Sequence, residues 1–150
     1  MDRFMEMAYR EALEGMSKGS GGPFGAVIVR DNKVIAKAHN EVLVRHDPSA
    51  HAEVMVIRKA CRKLQTVDLS DCVLYTTSKP CPMCKGVIQW SRLKNVVYSG
   101  DYKDTEKLNF DDLLFSDKFD EEDDGWSQID QEHFERLIDA FRSNDKEIRY

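Results

Sequence analysis

Two stretches decide how this chain is read: Asp47-Pro48-Ser49-Ala50-His51-Ala52-Glu53 and, further along, Ser78-Lys79-Pro80-Cys81-Pro82-Met83-Cys84. Reduced to pattern they are H-A-E and then P-C-P-M-C, each placed where an apolar, helix-periodic run begins. Zinc favours thiolate and imidazole donors in a tetrahedron, and three protein donors leave the fourth position to water, which makes a site catalytic. His51, Cys81 and Cys84 supply three such donors. Cys81 and Cys84 are spaced i, i+3 and so face the same way at the start of a helix. Helix N-termini also lower thiol pKa values. Two thiolates cancel the metal's charge, so bound water is acidified less than in an all-histidine site and a nearby base is needed. Glu53 is the candidate, taking a proton from water and passing it to a leaving group. In a regular helix i and i+2 point to different faces, so this reading requires the first turn to bring Glu53 round toward the metal.

Simpler readings exist for the same residues. A C-x-x-C pair also serves redox and structural sites, and histidines in apolar surroundings are often core residues. A redox dithiol has no need of H-A-E. A structural zinc needs a fourth ligand, and His39, His46 and His133 lack the spacing to provide it. The three parts in order favour one catalytic zinc ion per chain.

Working outward, residues 2 to 18 carry Phe4, Ala8 and Ala12 at i, i+4 spacing, which predicts a helix ended by Gly19 to Pro23. Phe24 to Val29 is a near-continuous apolar run, the mark of a strand covered on both faces. Asp31-Asn32 is a tight-turn pair, and residues 34 to 39 return antiparallel, with Asn40 where that strand ends. A second helix is expected from about residue 48 to 64, with Asp47 as N-cap and Pro48 at its first position. Cys61, among its apolar residues, reads as core. A third strand spans residues 72 to 77, a short helix 82 to 90 and a fourth strand 95 to 98. Trp90 is expected to pack beneath the site. Residues 105 to 114 suggest a short helix and 116 to 125 a solvated acidic loop. That loop nearly matches a calcium motif at Asp120, Glu122, Asp124 and Gly125, but Gln131 stands where the bidentate Glu belongs. A last helix, 131 to 142, carries Phe134, Leu137, Ile138 and Phe141 at helical spacing. The order α-β-β-α-β-α-β implies right-handed crossovers and a three-layer α/β sandwich with a mixed sheet.

At 150 residues the chain is one ordinary domain, and 41% apolar with 33% charged residues is a soluble globular mixture. No run approaches a membrane span, and the N-terminus lacks a secretory h-region, so the expected location is cytoplasmic. In that compartment the four cysteines point to metal binding or burial rather than disulfides. Charge is uneven. Residues 1 to 100 hold 15 Lys and Arg against 10 Asp and Glu, whereas residues 101 to 150 hold 7 against 17. The acidic last third does not suit a phosphate backbone, which argues against a nucleic-acid partner.

The H-x-E and P-C-x-x-C pattern resembles the cytidine deaminase-like superfamily of zinc deaminases. That resemblance implies hydrolytic removal of an amino group from a nucleobase, and an α-β-α sandwich whose mixed sheet has five strands. A narrower likeness rests on Gly21-Gly22-Pro23-Phe24-Gly25-Ala26-Val27-Ile28-Val29, Asp47 to Glu53, Ile57-Arg58-Lys59-Ala60-Cys61, Trp90-Ser91-Arg92 and Phe110-Asp111-Asp112. These look like bacterial-type guanine deaminases, over residues 1 to about 115 and more loosely in the tail. Carried over by motif position, Asn40 resembles the amide that holds the purine and Phe24 the aromatic that stacks on it. Asp112 resembles an acid assigned to proton transfer on the purine. Residues 116 to 150, ending in Tyr150, resemble the segment that family members swap onto a partner subunit to close its site, which implies a homodimer. The resemblance thus points to guanine deamination to xanthine, in purine catabolism. Each carried-over residue also has an ordinary reading: Asn40 as a strand end, Phe24 as core, Asp111 and Asp112 as helix caps.

One departure stands out: the family usually has Glu before Pro-Cys, and this chain has Lys79. The swap reverses a charge beside the metal ligands and bears on substrate and rate. The nearest rival function is tRNA adenosine deamination, which shares the signature but wants a basic groove. Deamination of cytosine, guanosine or an aminotriazine also fits the signature, because pocket shape sets base choice. A non-catalytic zinc scaffold would have no use for Glu53.

Overall fold

The computed structural model describes residues 1–106 and 125–143. Its first helix, α1 (Arg3–Ser17), starts at Asp2, whose side chain accepts from the Phe4 and Met5 amides at 2.8 and 3.0 Å and so satisfies two orphan donors of the first turn. Phe4, Met5, Ala8, Tyr9, Ala12 and Met16 form its buried stripe. Strands β1 (Gly25–Arg30) and β2 (Lys33–His39) form a hairpin. Its turn residues Asp31 and Asn32 both take positive φ, 49° and 62°, the geometry that matches strand twist.

A short helix, α2 (Val42–Arg45), follows and is absent from the sequence expectation. Then come α3 (Ala52–Leu64), β3 (Val73–Ser78), α4 (Pro82–Trp90), β4 (Asn95–Gly100), α5 (Tyr102–Glu106), β5 (Trp126–Gln128) and α6 (Gln131–Arg142). The strand order is β2-β1-β3-β4-β5. Strand β1 pairs antiparallel with β2 and β3, while β3–β4 and β4–β5 are parallel. This is the mixed five-stranded sheet that the family resemblance implies. The fifth strand, Trp126–Gln128, is only three residues long and has no signature of its own in the sequence.

Helices α1 and α6 cover one face of the sheet, and α3 and α4 the other. Period-2 alternation sorts the strand residues between them. On β3, Tyr75 packs its ring, tilted, against Phe4 of α1 with centroids 5.3 Å apart, so Leu74, Thr76 and Ser78 face the α3–α4 layer. Contact between α1 and the sheet is close enough to require glycine at position 25, since a Cβ there would lie 2.0 Å from the Ala8 carbonyl oxygen.

Asp47 does not cap α3. Its carboxylate accepts from the Ser49 amide and hydroxyl at 2.8 and 2.7 Å, closing a local turn, and the helix begins at Ala52. Asp-Pro is a turn opener as readily as a helix opener, and here the turn uses both residues before the helix starts. Expectations placed on Asp111, Asp112, the calcium-like run through Asp124 and the terminal Tyr150 lie outside the described residues.

Candidate active site

His51 and Cys81 occupy equivalent places. Each is the residue before a helix, with extended backbone: φ −66° and ψ 154° for His51, φ −69° and ψ 168° for Cys81. Neither uses its side chain to cap the helix that follows. The Met55 and Lys85 amides reach back to their carbonyls at 2.9 Å, closing each first turn while the side chain points away. Pro82 at the start of α4 supports that geometry, because it has no amide to satisfy and its φ is already helical. The required approach of His51 and Glu53 follows from the same fact. His51 is outside α3, in extended backbone, so the angular separation of i and i+2 in a regular helix does not apply between it and Glu53.

His51 Nδ1 lies 3.6 Å from Cys81 Sγ and 3.6 Å from Cys84 Sγ. A tetrahedral zinc with Zn–S of about 2.3 Å and Zn–N of about 2.0–2.1 Å spaces nitrogen and sulfur about 3.5–3.6 Å apart. The donors therefore already stand at the edge length of a zinc tetrahedron, and their chemistry, one imidazole and two thiols, suits that ion. Among the described residues, no fourth His, Cys, Asp or Glu joins the three within 4.8 Å. His133, rejected as a fourth ligand on spacing, falls in a separate cluster with Asp130 and Glu132. The vertex left open is what a catalytic site needs.

The environments of the two thiols push their proton affinities in opposite directions. The hydrogen bond from Cys84 stabilises the Cys81 thiolate and, with His51, outweighs burial, bringing its pKa down to about 4. Burial, followed by the bond to Cys81, pushes Cys84 well above the ordinary thiol range. Glu53 is 6% exposed, and burial raises its pKa, partly offset by His51. A carboxyl with raised proton affinity beside a metal site is equipped to hold and release a proton. The Thr76 hydroxyl, on the sheet beneath, lies 3.4 Å from Glu53 Oε1 and donates to the Ser78 carbonyl at 3.1 Å. Sequence reading missed Thr76. Its only signal is the alternation of β3, which puts Leu74, Thr76 and Ser78 under α3.

Asn40 is 1% exposed at the end of β2. Its Oδ1 accepts from the Val42 amide at 3.0 Å, starting α2, and a Cβ at position 21 would sit 2.1 Å from that oxygen. Its Nδ2 is buried with no hydrogen-bond partner among the described residues. Buried polar groups are nearly always paired, so an orphaned amide marks a donor kept for something else. Phe24 is 8% exposed within the main core cluster, and its carbonyl accepts from the Asn40 backbone N–H at 3.0 Å. Trp90 does not pack beneath the site. It is 79% exposed at the last position of α4, because the buried face of that helix runs through Cys84, Lys85 and Ile88. Lys79, two residues before Cys81, places its ammonium over the rings of Tyr98 and Tyr102 at 5.8 and 5.2 Å.

Comparison with known proteins agrees with this geometry. Residues 1–100 match the cytidine and deoxycytidylate deaminase zinc-binding region. Guanine deaminase of Bacillus subtilis (strain 168) is 47% identical over 141 residues, covering 94% of this chain and 84% of the relative. The tRNA-specific adenosine deaminase of the same organism is 35% identical over 139 residues, covering 92% and 86%. The solved structure of Bacillus subtilis guanine deaminase superposes with a TM-score of 0.75 at 41% identity over 99% of each chain. No helix among the described residues is long and apolar enough to cross a membrane. With an imidazole and two thiols at zinc spacing and a buried carboxyl beside them, this chain belongs to the cytidine and deoxycytidylate deaminase family of zinc-binding proteins.

Proposed function

We propose that this protein deaminates guanine: water replaces the amino group on the purine ring, giving xanthine and ammonia. The observation that carries the reading is the single buried corner shared by Glu53 and the His51–Cys81–Cys84 triad. His51 Nδ1 and the two cysteine sulfurs would hold zinc, one ion per chain. When bound, the ion would supply Lewis acidity, lowering the pKa of a water so that it gives up a proton more readily.

The chain's own groups supply the rest. Glu53 accepts a proton from water and returns it to the departing amine. Its raised proton affinity suits the second half of that exchange, and the Thr76 hydroxyl lies 3.4 Å from the carboxyl on the sheet side. Asn40 offers its unpaired amide to a purine acceptor. Phe24 stacks on the ring, Asp112 moves a proton on the purine, and Tyr150 of a partner subunit closes the site in a homodimer. These last three roles rest on motif position alone. Guanine is preferred over an anticodon adenosine because the likeness to guanine deaminase is stronger over a similar span, and because the acidic last third disfavours RNA.

The test is ammonia release from the zinc-loaded protein offered guanine, guanosine, adenine, cytosine and an anticodon stem-loop. Release from guanine is expected. Release from the stem-loop or cytosine and not from guanine would overturn the substrate. No release from any of the panel would point to a scaffold.

A further inference from the structure

The loop that presents Cys81 is held from the far side by the end of β4 and the start of α5. The Lys79 amide donates to the Gly100 carbonyl at 2.7 Å. One residue on, the Tyr102 hydroxyl donates to the Pro80 carbonyl at 2.5 Å. Tyr102 is 7% exposed, so this is a buried bond. The Pro80 carbonyl belongs to the peptide whose other end is the Cys81 nitrogen. Fixing that carbonyl fixes the plane from which the Cys81 side chain departs, at the one cysteine ligand whose backbone lies outside α4. Lys79 completes the arrangement, its ammonium 5.2 Å from the Tyr102 ring centroid and 5.8 Å from that of Tyr98. A cation over an aromatic face is attracted by the ring quadrupole and restrains the ring's orientation.

We infer that Lys79, Tyr102 and the Pro80 carbonyl form a brace that positions Cys81 for the metal, with Tyr102 as the positioning residue and Lys79 holding its ring. This rests on the reading of the triad as a zinc site. The lysine before Pro80-Cys81 thereby acquires a role, its ammonium lying over two tyrosine faces. A carboxylate at position 79 would meet the negative faces of the same rings, so the lysine and the tyrosine belong together. Outer groups that orient metal ligands typically change metal affinity tenfold to a hundredfold when removed.

The experiment measures cobalt(II) uptake by the full chain, in competition with a chelating dye and by the thiolate-to-cobalt absorption of a tetrahedral site. Wild type should bind one equivalent. Tyr102→Phe, which keeps the ring and loses the donor, should bind roughly tenfold to a hundredfold more weakly, with a shifted thiolate band. In the position-79 series Lys79→Arg should restore wild-type affinity, Lys79→Met should be weaker and Lys79→Glu weakest. Packing of the lysine stem alone predicts that Met matches Lys. If Tyr102→Phe does not fold, the position-79 series decides by itself. Wild-type affinity in Tyr102→Phe, or a flat position-79 series, would overturn the brace and leave the zinc site standing. A wild-type chain that takes up no cobalt would overturn the zinc site, and the brace with it.

Discussion

Helices α3 and α4 begin alike and face their second residues differently. In both, a metal donor sits in extended backbone immediately before the helix: His51 ahead of Ala52 and Cys81 ahead of Pro82. Two residues on, α3 has Glu53, buried against the sheet at 6% exposure, and α4 has Met83, 39% exposed. The construction that presents the candidate ligand is therefore common to both helices, whereas a buried carboxyl is supplied by α3 alone. What separates them is whether the second helical residue faces Thr76 on β3 or the outside. The comparison teaches that the ligand position comes from the helix start and the base position from the layer beneath it.

The largest effect that tests this division falls on a ligand. His51→Ala removes the nitrogen vertex and should abolish both zinc binding and ammonia release, read by metal content and turnover on one preparation. A variant that retained zinc would show that another donor fills the position. Asn40→Asp comes next. It keeps the acceptor that receives the Val42 amide and removes the unpaired donor, so kcat/KM should fall about tenfold to a hundredfold at unchanged zinc content. Unchanged kcat/KM would return Asn40 to a strand-ending role.

A smaller, graded effect concerns pH. The Cys81 thiol, lowered to about 4, is ionised in the metal-free protein at neutral pH, whereas Cys84, raised by burial, is not. Binding zinc must then expel one proton, from Cys84. Affinity should rise by about a factor of ten per pH unit across the neutral range, and fall twice as steeply below the Cys81 value, where both thiols hold protons. A neutral-range slope of two would mean that the two thiols do not differ in this way. The smallest effect belongs to the exposed member of the comparison. Met83→Ala should leave zinc content unchanged and turnover within about a factor of two, as surface substitutions generally do. A large loss would show that the second position of α4 contributes to the site after all.

The clustering of His51, Cys81 and Cys84 was legible because zinc chemistry restricts residue type and spacing together. Helices α4 and α6 were legible for local reasons, Pro82 at a first helical position in one and an apolar stripe through Phe134, Leu137, Ile138 and Phe141 in the other. Asp47-Pro48 misled, because the same dipeptide opens turns and helices. Only the Ser49 bonds, made after the chain folds back, distinguish the two. Trp90 misled because a large aromatic near a site is usually buried, while the face it occupies is fixed by Cys84 and Ile88. Thr76 and the unpaired amide of Asn40 were invisible for a different reason. Their meaning depends on what lies opposite them, which only the assembled layers define.

Glu53→Gln asks whether metal ligands and base are separate groups. Zinc content and ammonia release from guanine are measured on the same preparation, beside wild type. The account predicts one zinc per chain in both proteins and a loss of turnover of about a thousandfold or more in the variant, the range set by removing a general acid–base group. Zinc lost together with turnover, or turnover kept at the wild-type rate, would contradict it.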